Sequence, residues 1–64
     1  MNYYKLYLKN YLLEQDDVRA DDDEFISSRS ERAEDEFEQG RRKGLAVWQA
    51  QERAMRTLVE DLDD

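Results

Sequence analysis

Residues 22–44 read DDEFISSRSERAEDEFEQGRRKG, and this stretch decides the fold. Asp22 or Asp23 suits an N-cap, because a short carboxylate can accept hydrogen bonds from the orphan amides of a first helical turn, and Glu24 adds negative charge where the macrodipole is positive. Ile26, Ala33 and Phe37 then recur at helical spacing, with Phe25 and the aliphatic stem of Arg29 beside them. Arg41, Arg42 and Lys43 set positive charge against the carbonyl end, and Gly44 can take the left-handed conformation that follows a helix. The spacing predicts a helix over 23–43. Gly40 falls inside it at a cost of up to about 1 kcal/mol relative to Ala, so it either permits close packing or marks an earlier stop.

Working outward, Tyr4, Leu8 and Tyr11 follow an i, i+4, i+7 line flanked by Tyr7 and Leu12, with Lys5 and Lys9 on another side. This predicts a helix over about 2–14. Between the two helices, residues 15–22 have no repeating apolar pattern and are rich in Asp, whose side chain competes for backbone hydrogen bonds. They form a loop. Beyond Gly44, the residues Val47, Trp48, Met55, Leu58, Val59 and Leu62 make one broad stripe with Ala50 and Ala54 nearby, predicting a third helix over 46–62. Glu60, Asp61, Asp63 and Asp64 oppose the dipole at its end, so the last turn should fray. There is no Pro and no internal repeat. The expected fold is all-α, a small three-helix bundle forming a single domain over 1–64. Trp48 should be largely buried in it, facing the region where Phe25, Ile26 and Phe37 point.

A domain of 64 residues buries only about 60% of the surface its unfolded chain exposes, so its core is thin. No Cys is present for a disulfide and no Cys or His for a structural zinc, which leaves a partner subunit as the available reinforcement. The chain has no apolar run near the roughly 20 residues that span a bilayer, and its N-terminus lacks the pattern of a secretion signal. With no Cys to suggest an oxidising compartment, a cytoplasmic setting is expected, with no membrane association.

The net charge of −7 is unevenly spread: residues 1–13 carry +2, 14–38 carry −9, 39–56 carry +4 and 57–64 carry −4. The acidic run Asp16, Asp17, Asp21, Asp22, Asp23, Glu24 does not match a calcium loop, since Val18 or Arg19 falls at the third ligand position and the stretch has no Gly. Glu34, Asp35 and Glu38 lie on a polar helix face with nothing to drive their pKa values apart. Without His, Cys or a phosphate-binding Gly-rich loop, the sequence reads as a protein that is not an enzyme and needs no cofactor or metal. Arg41, Arg42 and Lys43, with Arg53 and Arg56 farther on, make the only positive patch and could contact anions. Helix capping already accounts for the triplet, and a net charge of −7 argues against nucleic acid.

Tyr3, Tyr4, Tyr7 and Tyr11 crowd onto one helix, and Tyr suits an interface because it joins apolar area to a hydroxyl that tolerates water. With Tyr3, Tyr4, Leu6, Tyr7, Leu8, Tyr11, Leu12 and Leu13, the first helix carries more apolar surface than one side of a three-helix packing can hide. The rings either roof the core or face a partner. The expected role is therefore a helical protein–protein interaction module, docking through the Tyr face and the Trp48, Met55, Leu62 stripe onto a protein partner or, slightly ahead, a second copy as a homodimer. Two alternatives stay open: a nucleic-acid accessory protein using the turn at 41–43, and an acidic mimic of a phosphate backbone.

The pattern Asp23-x-Phe25-Ile26-x-x-Arg29-x-x-x-Ala33-x-x-x-Phe37, followed by Gly44, Ala50, Ala54 and Leu58 and preceded by the Tyr-x-x-Leu-x-x-Tyr-Leu helix, resembles the family known as domain of unknown function 1896. That resemblance implies a short helical protein of Bacteroides-type bacteria. It implies no activity, ligand or catalytic residue.

Overall fold

The computed structural model describes residues 2–62 and contains three α-helices in the order α1 (Tyr3–Glu14), α2 (Asp23–Arg42) and α3 (Val47–Leu58), with a 3₁₀ turn at Val18–Asp21 inside the first connection. No strand occurs among the described residues, and the fold is the small all-α three-helix bundle that the apolar spacing predicts.

Local chemistry sets the helix ends. Asn2 caps α1, its side-chain oxygen accepting from the Lys5 amide at 2.9 Å. Asp22 caps α2 by accepting from the Phe25 amide at 3.0 Å. At the far end of α2, Gly44 has φ of +93°, the Leu45 amide bonds back to the Gly40 carbonyl, and the Gly44 amide bonds to the Arg41 carbonyl. This pair of reversed bonds is a Schellman ending. α1 ends the same way, but with Asp16 at φ of +54° in the place Gly usually takes: the Asp17 amide reaches Leu12 and the Asp16 amide reaches Leu13. α3 starts one residue later than expected and stops at Leu58, four residues early. Its C-terminal end lacks a Gly, Asp61 turns left-handed at φ of +65°, and the unfavourable charge of Glu60 and Asp61 lies beyond the helix rather than in it. Asp63 and Asp64, expected to join that opposition, lie outside the described residues.

The core is one thin layer. Leu8 and Leu12 of α1, Ile26 and Ala33 of α2, and Ala54 and Leu58 of α3 are buried together, joined by Ala20 of the 3₁₀ turn and by Leu62. Ala20 is the buried anchor of a connection whose sequence shows no apolar pattern. α2 and α3 approach closely because Gly40 has no side chain: a Cβ there would lie 3.2 Å from Ala50 Cβ and 3.2 Å from Leu45 Cδ1. Close packing, not an early stop, is therefore what Gly40 provides. Arg53 and Glu36 pair at 2.8 Å across the same two helices. Arg29 secures the other end, donating to the Glu60 carbonyl at 2.7 Å and lying 3.5 Å from the carbonyls of Thr57 and Leu58, so a residue of α2 caps the C-terminus of α3. The Arg29 guanidinium also lies 5.1 Å from the centre of the Phe25 ring, as does that of Arg19.

Helix lengths then position everything else. α2 has 20 residues and α1 has 12, so at 1.5 Å per residue they span about 30 Å and about 18 Å. Asn2, at the start of α1, donates to Glu34 at 2.8 Å, and Tyr4 donates to Gln51 at 2.8 Å. The α2–α3 hairpin thus extends past the N-terminal end of α1 and forms an uncovered tip. Trp48 stands on that tip and is 67% exposed, contrary to the burial expected from its place at the head of the α3 stripe. On α3 the fully buried line is Ala50, Ala54 and Leu58, with Met55 and Val59 half-buried beside it, and α1 ends before it can cover Val47 or Trp48.

Candidate interaction face

α1 exposes two distinct flanks because its neighbours differ. Lys5 and Lys9 line a shallow groove with Asp23, Ile26 and Ser27, which identifies the Lys side as the α2 side. Tyr4, bonded to Gln51, identifies the Tyr side as the α3 side. At about 100° per residue, Tyr7 and Tyr11 share that side with Tyr4, while Tyr3, Leu6, Asn10 and Leu13 form the outer line. Tyr3 is 59% exposed, Leu6 52% and Leu13 52%, with Tyr7 also exposed. Tyr3 meets the Tyr4 ring edge-on at 5.7 Å and the tilted Tyr7 ring at 6.2 Å, so Tyr3 joins the two other rings at the N-terminal end of α1.

On α3, Trp48 and Met55 each lie one turn from Gln51, at i−3 and i+4, on the flank that borders α1. Met55 and Val59 are half-buried against the core, and Trp48 stands free above them. The structure therefore brings Tyr3, Tyr4, Tyr7, Tyr11, Trp48 and Met55 onto one side of the molecule, with Tyr4 and Tyr11 as its half-buried floor. Leu62 does not belong to this face: it is 8% exposed and completes the core beneath Leu58. Its burial follows from α3 ending at Leu58, since the turn that comes next folds Leu62 inward. Burial raises the Tyr4 hydroxyl above its ordinary pKa, with the Glu34 carboxylate and Tyr3 adding to the shift. The Tyr4 phenol is thus held protonated as a donor to Gln51.

Arg41, Arg42 and Lys43 all sit exposed at the tip. The Arg41 guanidinium donates to the Leu45 carbonyl at 2.8 Å, and Arg42 lies 3.9 Å from Glu38. The triplet thus serves the end of α2, as its spacing predicted. In the acidic block, Asp17 accepts the Arg19 guanidinium at 2.9 Å and 2.5 Å and the Arg19 amide at 2.9 Å, and these bonds hold its carboxyl at about 2 against an ordinary 3.8. Glu34 and Glu36 are engaged by Asn2 and Arg53. No group of three or more acidic residues able to hold a metal ion occurs among the described residues. No helix of the described residues is long and apolar enough to cross a membrane.

Sequence reasoning missed two exposed apolar side chains, Val18 on the 3₁₀ turn and Val47 on the tip. An isolated Val in an Asp-rich loop gives no periodic signal, and Val47 lies on the inward line of α3 with only its position beyond α1 to expose it. A family model described as Domain of unknown function (DUF1896) matches residues 1–63. No curated protein and no solved structure matches the chain.

Proposed function

The chain belongs to the DUF1896 family, whose function is unknown, and from its surface we propose that it is a small helical interaction module that binds another protein through the α1–α3 face. One observation carries this reading: in a chain whose residues are 42% charged, the large apolar side chains of Tyr3, Leu6, Tyr7, Leu13 and Trp48 are left exposed, with Asn10 and Glu14 as the polar members beside them on α1. Exposed apolar patches of this kind mark partner surfaces. The proposal includes binding without catalysis, without a cofactor, and in a bacterial cytoplasm. A charged residue introduced into the face tests it with little harm to the fold, because these side chains are not in the core. The chain and its Leu6→Lys/Trp48→Lys variant, each immobilised and exposed to lysate of the native host, should differ: proteins retained by the first are lost by the second. Identical retention would reject the face.

A second reading gains one observation from the structure. Trp48 stands out of the core at the same end as Arg41, Arg42 and Lys43, and an exposed indole near cationic side chains is the combination that stacks on single-stranded nucleic acid. Quenching of Trp48 fluorescence by an oligonucleotide at low salt, lost at moderate salt, would favour it. The acidic-mimic alternative gains no added observation: Asp17, Asp22, Glu34 and Glu36 are engaged within the fold, while Asp16, Asp21, Asp23, Glu24, Glu31 and Asp35 stay exposed.

A further inference from the structure

Building on the α1–α3 interaction face, we propose that its occupant is a second copy of the same chain, packed antiparallel across a two-fold axis near the middle of α1. Two properties of the molecule support this, and the first is charge. The end holding the α1–α2 connection carries Asp16, Asp21 and Asp23 with Glu60 nearby, whereas the opposite tip carries Arg41, Arg42 and Lys43. An antiparallel pair sets each acidic end beside a basic tip and opposes the two α1 dipoles, while a parallel pair would bring like ends together.

The second is the area and its shape. α1 alone offers a footprint of about 18 Å by 10 Å, well short of the roughly 500 Å² per partner that a small specific interface buries. Adding the α3 flank doubles that width. The overhanging tip supplies more, because across this axis the tip of one copy comes level with the α1–α2 connection of the other. Val47 and Trp48, exposed on that tip, add apolar area at each end of the pair. The arrangement is isologous and closes at two copies. Its modest area makes it a weak dimer, assembling in the micromolar to millimolar range.

The absence of Cys makes the geometry directly readable, since any introduced thiol is the only one in its chain. Asn10 is on the outer line close to the proposed axis, and Tyr3 and Glu14 are at opposite ends of α1. Asn10→Cys should oxidise to a disulfide-linked dimer. Tyr3→Cys should not link to itself but should link to Glu14→Cys when the two are mixed, with circular dichroism confirming that each variant is helical. Sedimentation equilibrium of the unmodified chain should show a mass rising toward two copies over the same concentrations. Self-linking of Tyr3→Cys would overturn the antiparallel arrangement. A strictly monomeric mass throughout would overturn the second copy as occupant. If that monomer still captures a protein that the Leu6→Lys/Trp48→Lys variant loses, the interaction face stands and its partner is a different chain.

Discussion

Ser30 is the one buried side-chain oxygen among the described residues that lacks a hydrogen-bond partner, in the middle of α2 with no exposed surface. A hydroxyl desolvated without compensation costs about 1–3 kcal/mol, and Ala is also the better helix former. Ser30→Ala should therefore stabilise the protein by about 1 kcal/mol, raising the melting temperature by roughly 4–8 °C for a domain of this size. No rise would mean that the hydroxyl has a partner in solution. Asp17 is a polar residue in the opposite situation. Its carboxyl is held at about 2 by Arg19, below the ordinary 3.8, so the folded state binds this proton less readily than the unfolded state. The stability it contributes is present above about 4 and disappears as pH falls through 2. Melting curves of the chain and of Asp17→Asn should differ at neutral pH and converge in that window. Neither feature shows in the sequence: a Ser within a helical pattern reads as neutral, and an Asp in an acidic run reads as one charge among many.

The ends of the helices were readable wherever one residue type performs the chemistry. Asp22 as cap, Gly44 in the left-handed region and Arg41 to Lys43 at the carbonyl end all stand where their spacing placed them. The end of α1 depends on Asp16 adopting a conformation that Gly would have announced, and the end of α3 depends on Arg29 reaching across from α2. Such tertiary capping leaves no local mark. Gly40 is the position where local cost and packing gain trade against each other. Its missing Cβ allows α2 and α3 to meet at Ala50, so Gly40→Val should force the helices apart and cost about 1–3 kcal/mol, although Gly is the poorer helix former. A melting temperature unchanged by this substitution would show that the hairpin can widen freely.

At the scale of the whole molecule, the apolar spacing gave three helices and their inward faces, but spacing cannot say how far a neighbouring helix extends. Nor does it fix the facing of Trp48, which lies about 160° around α3 from the fully buried Ala50, while the antiparallel hairpin sets Phe25 and Ile26 at its opposite end, by Arg29 and the end of α3. Trp48→Ala should then change the stability of the dilute protein by no more than about 0.5 kcal/mol, where a buried Trp would cost about 3–5 kcal/mol. The indole should also emit as a water-exposed group under those conditions. The Tyr cluster was readable as a surplus of apolar area on one helix, whereas its union with Trp48 required the Tyr4 to Gln51 bond that fixes which flank of α1 borders α3.

The short α1 has a consequence for motion as well as for binding. α2 and α3 are locked to each other at both ends, by Gly40 against Ala50 and by Arg29 on the end of α3, while α1 buries only Leu8 and Leu12 fully. α1 is thus built to open as a unit while the hairpin stays closed, the local event that native-state hydrogen exchange detects. Its amides should exchange earlier than those around Ala33 and Ala54. Anything that occupies the outer side of α1 acts directly on this opening, so the exchange rate of α1, measured against protein concentration, reports occupancy of the face without any label on the partner.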